Sequence, residues 1–559
     1  MGMYLDPGNE SFKKAINSDI YIDKTGAIEV LNRNIGKERC YFAVSRARRF
    51  GKSMVAGMLD AYYSMGCNSK EMFAPFKISG SQDFEKHLNK YHVLHFDMAT
   101  FLNDANAYRL KSESMSDHAD DEECNRIKMY SNPINLMNDT ILKDFRRDYP
   151  DLIDKEIMSV PKAIEEVWRK DGHQFVIIID EWECVIRDAK EDENLILDYL
   201  KYLRGFFKTE ESKQFVALGY ITGILPIKKF DGESAMNNFT EYTMISPKDL
   251  APYFGFTEEE VVQISAKDHY MDIEAIRKWY DGYRMSYVSA SPSGRSRINL
   301  HMYNPNSLVE AFTFGECESY WKNTGAFGGL NQYISMNMDG LKDAIIVMLT
   351  GEDYPVDTSS YQNDLTSFKS KDDVLTALIH MGYLGYDPAT KNAFIPNEEV
   401  RDVFESAIKV GEWNDICDAL RKSDGLLRAT WDCDSDKVAE EIAASHQDYT
   451  SILEYHDENS LALAIMMSYY TARKHYVVVR EFPSGKGYAD IVFIPKRGVP
   501  YPAMIVELKW NKTADGAINQ IHNKNYDGKL KDYGGELLLV GIDYDKVEKR
   551  YTCEISRNK

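Results

Sequence analysis

The strongest constraint on the fold is the stretch at residues 43–54, AVSRARRFGKSM. A short apolar run, 40–44, leads into a basic loop that ends in Gly51-Lys52-Ser53, and a helical pattern follows at once. Strand, loop, Gly-Lys-Ser and helix in this order are typical of a phosphate-binding loop, in which the N–H groups of the helix N-terminus face an anion. We therefore expect Lys52 to reach the β- and γ-phosphates of ATP and Ser53 to bind Mg²⁺.

This phosphate loop departs from the usual pattern because Arg46 stands where a Gly is common and further arginines fill the loop. A bare Gly-Lys-Ser also occurs by chance at surface turns, so the interpretation depends on a second motif. The residues expected to bind the nucleotide are Arg48, Arg49, Phe50, Gly51, Lys52, Ser53, Met54 and, from a later strand, Thr222.

The second motif lies at residues 174–183, QFVIIIDEWE. Its unbroken apolar run is typical of a parallel strand that is buried on both faces. An apolar strand that ends in Asp-Glu predicts that Asp180 helps to hold Mg²⁺ and that Glu181 polarises the attacking water. A core strand that ends in a solvated acidic turn is the alternative, and the order of the two motifs favours a nucleotide site.

Composition bounds the class of protein. A chain of 559 residues is too long for one hydrophobic core and should form three or four domains. Its sequence has no apolar run of membrane-helix length, and its first residues lack the layout of a secretion signal. The eight Cys include no Cys-x-x-Cys pair, which favours reduced thiols in the cytoplasm over a zinc site or disulfides. A net charge of −21 disfavours a protein that coats nucleic acid but still permits a local basic site.

The first half of the chain alternates strand and helix patterns, which predicts a mostly parallel, doubly wound sheet. Residues 93–97 and 215–223 are predicted strands, and residues 21–25 are of the kind that lies beside a nucleotide base. Thr222 ends its strand, where open α/β sheets bind ligands, so it could sense the γ-phosphate or the attacking water. A plain turn at Gly223 is the alternative. The acidic segment 111–125 is expected to be a solvated loop or insertion.

From about residue 250 the pattern becomes mainly helical. A capping box at residues 257–260 begins one helix, and residues 273–280 predict another. A helix at 372–386, a strand at 392–396 and a helix at 398–409 suggest a winged-helix-like module.

The last segment, from about residue 451, carries a second set of acidic and basic residues. Asp490 begins one predicted strand, and Glu507 and Lys509 lie on the next at i and i+2, so both of these side chains leave one face. Two acids on adjacent strands can share a hard divalent ion, and a nearby Lys can orient or deprotonate a water. We therefore expect Asp490 and Glu507 to bind Mg²⁺ and, with Lys509, to form a nuclease site. Gln520 and Glu458, on the flanking helices, are expected to complete it.

Local charge supports this second site. Residues 471–530 hold ten Lys or Arg against five Asp or Glu, within a chain of net charge −21. Such a reversal is expected where phosphates bind. Because Glu-x-Lys is common in strands, a solvated strand face remains the alternative.

Taken together, these motifs resemble a bacterial family that joins an N-terminal AAA-ATPase-like domain to a C-terminal PD-(D/E)XK nuclease domain. The resemblance covers nearly the whole chain. It is carried by residues 21–25, 48–53, 179–181, 221–223, 237–238, 255–260, 279–283, 303–305, 320–325, 382–384, 395–400, 487–490, 506–509 and 520–521. Two departures are Ala47, where the family prefers Pro, and Trp182-Glu183, where Tyr-Asp is more usual.

The resemblance implies an α/β chain with four parts: a P-loop ATPase at 1–248 with a doubly wound sheet, a helical lid at 249–335, a helical or winged-helix-like region at 336–425, and an α/β nuclease-like domain at 426–559. It implies an ATPase and a Mg²⁺-dependent nuclease, with DNA favoured over RNA and no membrane partner. If the loop arginines act across a subunit boundary, the protein is a homo-oligomer. The rival interpretation is an ATP-dependent assembly switch whose C-terminal domain binds nucleic acid without cleaving it.

Overall fold

The computed structural model describes residues 2–114, 121–189, 191–227, 229–230, 233–234, 236–267, 271–291, 294–322, 326–336, 338–362, 368–410, 413–449, 458–484, 487–496, 499–524 and 536–558. The chain divides into two compact units. The first unit contains Met1–Thr324 and Pro355–Arg401, and the second contains Gly325–Tyr354 and Asp402–Lys559. Within the described ranges, no helix combines the length and the apolar character that crossing a bilayer requires.

A five-stranded sheet forms the centre of the first unit. Every paired strand in this sheet is parallel to its neighbour. The order across the sheet is His92–Asp97, Phe175–Asp180, Val216–Gly223, Tyr41–Ser45 and Thr240–Tyr242. The non-consecutive order requires crossover connections, as in doubly wound folds.

Helices cover both faces of this sheet, because strands such as Phe175–Asp180 are apolar on both sides. Ile177 and Ile179 belong to one buried cluster, and Val176 and Ile178 belong to another. This confirms the predicted doubly wound α/β arrangement. The helices of the first unit are Glu10–Ile16, Gly26–Asn32, Lys52–Tyr63, Lys70–Phe73, Phe84–His87, Met98–Glu113, Asp121–Tyr130, Pro133–Asp148, Val160–Asp171, Cys184–Asp188, Glu193–Phe207, Ser212–Phe215, Glu258–Lys267, Ile273–Tyr280, Pro305–Phe314 and Lys371–Met381, with 3₁₀ turns at Lys77–Gly80 and Lys248–Tyr253.

The interpretation of residues 111–125 as a solvated loop was wrong for the residues described there, and the alternative of an insertion stays a prediction. Helices Met98–Glu113 and Asp121–Tyr130 occupy most of the segment, and residues 115–120 lie outside the described ranges. Ile127 is 1% exposed, so this apolar side chain packs the acidic helix against the rest of the unit. Glu122 is exposed and Ile127 is buried, so the helix is amphipathic, and a judgement based on charge alone overlooks its apolar side.

A long antiparallel hairpin was not foreseen. It consists of strands Tyr283–Ser291 and Gly294–Tyr303, and we call it the ribbon. The short strand Phe256–Thr257 pairs only with Met302 and Tyr303 at the base of the ribbon.

The predicted winged-helix-like elements occur near their expected positions. The first helix ends at Met381, earlier than expected, because Gly382 adopts a left-handed conformation (φ 85°) that caps it. Gly385–Asp387 and Asn392–Phe394 form a hairpin, and the helix Glu398–Val410 follows. The division of the chain at 248, 335 and 425 stays a prediction.

A second five-stranded sheet forms the centre of the second unit. In order, its strands are Tyr476–Ser484, Gly487–Pro495, Ala503–Trp510, Leu537–Asp545 and Arg550–Asn558. Only the central pair, Ala503–Trp510 with Leu537–Asp545, is parallel. The remaining elements are helices Ala326–Ile334, Leu341–Leu349, Asn414–Trp431, Ser435–Tyr449, Glu458–Ser468 and Ala514–Lys524, and a 3₁₀ turn at Tyr470–Lys474.

Each face of the second sheet has its own apolar layer. Ile491, Phe493 and Val506 pack in one cluster, and Val492 and Ile505 pack in the other with the helix Ala514–Lys524. Asp490 and Glu507 are each one residue away from Ile491 and Val506, so their side chains leave the opposite face of the sheet. This is the face that carries the helix Ala514–Lys524.

Candidate active sites

The phosphate loop connects strand Tyr41–Ser45 to helix Lys52–Tyr63. The backbone is left-handed at Arg49 (φ 67°) and at Gly51 (φ 86°), and Gly51 precedes the first helical residue. A Cβ added at Gly51 would meet nothing within 4 Å, so the loop surface is open there. Gly51 has no side chain that could cap the helix. The first N–H groups of the helix therefore lie at the end of the loop, as an anion site requires.

The structure explains why Arg46 can replace the usual Gly. The Arg46 N–H donates to the Gly223 carbonyl at 3.1 Å, so this residue continues the parallel pairing. Its side chain is fully buried beneath the loop, where Nη1 donates to the carbonyls of Ser45 (2.9 Å) and Tyr242 (2.8 Å). The turn that needs positive φ lies further along, so Gly is not required at this position.

Lys52 lies beneath the same loop. Its side chain is buried, and Nζ donates to the carbonyls of Arg46 and Ala47, each at 3.1 Å. Burial lowers the pKa of Lys52, while the carboxylates of Glu181, Glu183 and Asp180 oppose this shift. A desolvated ammonium that donates to two backbone carbonyl oxygens is well suited to a phosphate partner.

Ser53 and Asp180 meet at the mouth of the loop. The Ser53 hydroxyl donates to Oδ2 of Asp180 at 2.6 Å, and Oδ1 of Asp180 accepts from the Glu181 N–H at 2.9 Å. These two side chains bring oxygens together beside the phosphate loop, and oxygens are the ligands that Mg²⁺ prefers. The pair therefore fits a magnesium ion.

Glu181 has the backbone conformation of a strained site residue. Its φ is 48°, which is uncommon for a residue with a side chain. Its carboxylate contacts Arg187 Nη1 at 3.3 Å, and the same nitrogen contacts Glu183 Oε1 at 3.1 Å. Arg187 thus links the predicted water-polarising residue to a second, buried carboxylate.

Sequence reasoning missed the part that Glu183 takes in this site. Burial, with the neighbouring Glu181 carboxylate, raises the pKa of Glu183 to about 7. Oε1 accepts from the Ile224 N–H at 2.8 Å, and a Cβ added at Gly223 would lie 1.7 Å from Oε2. Gly223 therefore provides the space for the Glu183 carboxylate. Because residues 183 and 223 are far apart in the sequence, no local pattern reveals this contact.

Thr222 does not face the loop surface. It is fully buried, and its hydroxyl donates to the Val44 carbonyl at 3.1 Å. Its contribution in this conformation is to hold two central strands together.

A cavity of about 660 Å³ adjoins the phosphate loop. All seven predicted loop residues, 48–54, line it together with Glu181. Its other walls are largely apolar: Phe12, Ile20, Ile22, Met58, Phe256 and Val309. Segment 21–25 reaches this apolar end, where Lys24 forms an ion pair with Glu260 at 2.6 Å. The cavity thus has a phosphate end and an end suited to a planar base.

Residues far along the chain support the loop from outside. The Gly255 N–H donates to the Phe50 carbonyl at 3.1 Å, and Asn304 Nδ2 donates to the Arg48 carbonyl at 3.3 Å. A Cβ added at Gly382 would lie 2.5 Å from the Ala47 Cβ, so the helix end and the loop are in close contact. The small Ala47 side chain suits this contact.

The second unit brings Asp490 and Glu507 together. The antiparallel register pairs Ile491 with Val506, which places Asp490 opposite Glu507 one residue further along. Asp490 Oδ2 accepts from the Leu508 N–H at 2.7 Å. Asp490 lies three residues inside its strand, Gly487–Pro495, and does not begin it as expected.

Glu507 is the centre of this cluster. Oε1 accepts from Lys509 Nζ at 3.0 Å and from Gln520 Nε2, whereas Oε2 is buried without a hydrogen-bond partner among the described residues. Burial raises the pKa of Glu507. The neighbouring Asp490 carboxylate raises this pKa further, and Lys509 acts against the rise. A buried carboxylate oxygen with no donor, beside a second acid, fits a hard divalent cation.

A glycine allows Gln520 to reach Glu507. Gly541 lies beside Glu507 in the parallel register, and a Cβ added there would lie 2.4 Å from the Ala514 carbonyl oxygen. The helix Ala514–Lys524 therefore packs directly on the sheet. Glu458 begins the helix Glu458–Ser468, and its side chain lies outside the part of the chain that the structure describes.

Two family models match this chain, one for a predicted AAA-ATPase domain in its N-terminal part and one for a PD-(D/E)XK nuclease-superfamily domain in its C-terminal part. Residues 7–231 match the family model described as Predicted AAA-ATPase, AAA-ATPase-like. Residues 457–554 match the model of the PD-(D/E)XK nuclease superfamily. This confirms the two-domain resemblance seen in the sequence.

A comparison with curated proteins found no match. Among solved structures, the ORC2 protein of Aeropyrum pernix, in its ADPNP–ADP complexes, matches with 11% identity and a TM-score of 0.29. The match covers 72% of this chain and 98% of that one.

Proposed function

We propose that this protein binds and hydrolyses ATP and that its C-terminal domain cleaves phosphodiester bonds of nucleic acid in a Mg²⁺-dependent reaction gated by the ATPase. The observation that carries the nuclease part is the environment of Glu507. Its carboxylate lies beside Asp490, accepts hydrogen bonds from Lys509 and Gln520, and has one buried oxygen without a partner among the described residues.

In the ATPase domain each residue has a separate task. Lys52 and the loop N–H groups hold the phosphates, and Arg48 and Arg49 add positive charge at the cavity wall. Ser53 and Asp180 would hold Mg²⁺. Glu181 accepts a proton from the attacking water, and Arg187 positions its carboxylate through the bridge to Glu183.

In the nuclease domain Asp490 and Glu507 would hold Mg²⁺. At both sites, bound Mg²⁺ supplies positive charge that neutralises the reacting phosphate. Lys509 orients or deprotonates the attacking water and stabilises negative charge on the phosphate, while Gln520 fixes the Glu507 carboxylate.

We propose DNA in preference to RNA as the substrate and the cytoplasm as the location, on the sequence grounds given above. If Arg48 and Arg49 of the loop act on ATP bound to another subunit, the protein must be a homo-oligomer. The second candidate is an assembly switch that binds nucleic acid without cleavage. Lys509 favours the nuclease, because a protein that only binds has no need of a buried Lys–Glu pair facing a second acid.

The test is a cleavage assay with the purified full-length chain and Mg²⁺ on plasmid, linear duplex and single-stranded DNA, each with and without ATP. We expect Asp490→Ala, which removes a proposed metal ligand, and Lys509→Ala, which removes the residue proposed to act on the attacking water, each to reduce cleavage at least about 100-fold, with ATP hydrolysis unchanged. The matched controls are Asp515→Ala and Lys546→Ala, which remove exposed charges of the same sign in the same domain. Binding of DNA without cleavage in the unmodified protein would favour the switch.

A further inference from the structure

The ribbon, strands Tyr283–Ser291 and Gly294–Tyr303, carries its arginines on one face and most of its large apolar side chains on the other. The sequence from 282 to 303 contains no Asp or Glu, although the whole chain has a net charge of −21. Its register pairs Arg284 with His301, Ser286 with Asn299, and Val288 with Arg297. Because directly paired residues lie on the same face, all three arginines of the ribbon, Arg284, Arg295 and Arg297, share one face.

The two faces differ in exposure as well as in charge. The arginine face is open: Arg284, Arg295, Arg297, Asn299 and His301 are exposed. On the opposite face, Met285 and Met302 are buried, and Tyr287, Ile298 and Leu300 are partly buried. The fold therefore anchors the ribbon through its apolar face and leaves the cationic face to solvent.

Acids near the base neutralise only part of this face. Asp387 contacts Arg284 at 3.3 Å, and Asp281 contacts His301 at 3.0 Å. Arg295 and Arg297, further out, form no ion pair with any described residue, and Arg297 Nη1 contacts only the Ser286 hydroxyl, at 3.4 Å. Two arginines without a carboxylate partner among the described residues of a strongly acidic protein are available to an external anion.

A further cation, Lys248, lies beside the same face. A cleft of about 400 Å³ is lined by Lys248, Ser246, Ser286 and Arg297, and Asp249 is its one acid among the described lining residues. Lys248 holds its ammonium 5.2 Å from the centre of the Tyr242 ring. The cationic surface thus continues from the ribbon to the adjoining segment.

We propose that the ribbon's arginine face, with Lys248, is a duplex-DNA backbone-binding surface of the first unit, separate from the nuclease site. A two-stranded ribbon has the width that the major groove of B-DNA admits. Arg295 and Arg297 are two residues apart, roughly 6.8 Å along the strand, which matches the rise of about two phosphates of one DNA strand along the duplex axis. Arginine forms bidentate hydrogen bonds to phosphate, and Ser286, on the same face, adds a hydroxyl donor.

The proposal rests on the nucleic-acid part of the proposed function. Its test measures binding alone, by fluorescence anisotropy of a labelled 30-base-pair duplex with the full-length chain in EDTA. The salt dependence is the main readout, because each phosphate contact contributes about 0.9 to the slope of log K against log salt concentration. We expect the double variant Arg295→Ala/Arg297→Ala to lose about 1.8 from this slope and to bind at least about tenfold more weakly.

Two control proteins separate a specific surface from general charge. Arg295→Lys/Arg297→Lys keeps the charge and should retain most of the slope. Lys201→Ala/Lys213→Ala removes two exposed cations elsewhere in the first unit and should leave the slope unchanged. An unchanged slope and affinity in the double Ala variant, or no binding of the duplex by the unmodified protein, would overturn the proposal.

The two hypotheses fail in different ways. Ribbon-dependent binding without cleavage of any substrate would remove the proposed nuclease activity and leave the ribbon surface. Cleavage with ribbon-independent binding would remove only the ribbon surface. If the double Ala variant binds DNA normally but no longer self-associates in light scattering, the face is an interface between copies, and the proposal is wrong.

Discussion

The Ser53 hydroxyl donates a 2.6 Å hydrogen bond to the Asp180 carboxylate across 127 residues of chain. Ser53 lies in the first turn of the helix after the phosphate loop, and Asp180 ends the buried strand Phe175–Asp180, which is two places along the sheet from the strand that precedes the loop. Parallel strands bring their carboxyl ends to one edge of a sheet, which is why two motifs so far apart in sequence meet there. This hydrogen bond holds the Ser53 hydroxyl and the Asp180 carboxylate together at the position where the proposed function requires Mg²⁺.

The first prediction concerns nucleotide binding. Lys52→Ala should weaken ATP binding by at least about 30-fold, because truncating a buried charge partner costs roughly 2–5 kcal/mol. Isothermal titration calorimetry with ATP measures this directly. Lys86→Ala, which removes an exposed cation of the same unit, is the control and should bind ATP normally. Unchanged affinity in Lys52→Ala would refute the phosphate-loop assignment.

The second prediction concerns turnover and gating. Glu181→Gln should bind ATP with wild-type affinity but hydrolyse it at least about 100-fold more slowly, since the amide cannot accept the proton. Phosphate release measures the rate, with the exposed Glu210→Gln as control.

The same variant tests control of the nuclease. Held in its ATP-bound form, Glu181→Gln should differ from the nucleotide-free protein in oligomeric state or in DNA cleavage rate, because ATP acts by binding two states unequally. Equal light scattering and equal cleavage with and without ATP would mean that the two domains work independently.

The third prediction concerns helix packing at the nuclease site. Gly541→Ala places a Cβ 2.4 Å from the Ala514 carbonyl oxygen, so the helix that carries Gln520 must move. We expect loss of cleavage with ATP hydrolysis retained, and a loss of stability of about 1–3 kcal/mol in the second unit.

Gly425→Ala is the matched control for this substitution. Its added Cβ would lie 3.7 Å from Glu441 Oε1, an ordinary contact, and the residue is within a helix of the same unit. Full cleavage activity in Gly541→Ala would show that the position of Gln520 does not matter.

The fourth prediction concerns pH. Burial raises the pKa of Glu399 from its ordinary 4.5 to about 7, although the N–H groups of Tyr320 (3.0 Å) and Trp321 (3.2 Å) donate to its carboxylate and Arg49 also lowers the pKa. The folded protein therefore holds this proton more tightly than the unfolded chain. The stabilisation is complete below about pH 4.5 and is lost as the pH rises to about 7, by up to about 3 kcal/mol.

Glu399→Gln stays neutral and lacks this dependence. Thermal unfolding of both proteins between pH 5 and 8 should therefore show the wild type losing stability relative to the variant as the pH rises. Glu316→Gln, at an exposed position, should follow the wild type throughout. A constant difference between wild type and Glu399→Gln across this range would contradict the assignment.

The elements that sequence predicted best are those with dense apolar patterns. The helix Ile273–Tyr280 was predicted with its observed bounds, and the strand Phe175–Asp180 was recognised from its unbroken apolar run. Elements that remain half in solvent were missed, among them the ribbon and the edge strand Arg550–Asn558. Polar residues interrupt their alternation, so the strand signal was weak even though the apolar face is buried.

The sequence by itself determined which reactive side chains each candidate site contains. Gly51-Lys52-Ser53 and Asp180-Glu181 mark one site, and Asp490 with Glu507 and Lys509 marks the other, because strand and helix periodicity fix which side chains leave an element together. Only the tertiary structure decided which distant residues complete these sites. Gly223 makes room for Glu183, Gly541 lets Gln520 reach Glu507, and Thr222 turns to Val44 and away from the loop surface. These outcomes depend on the close packing of segments far apart in the chain, which local sequence patterns do not encode.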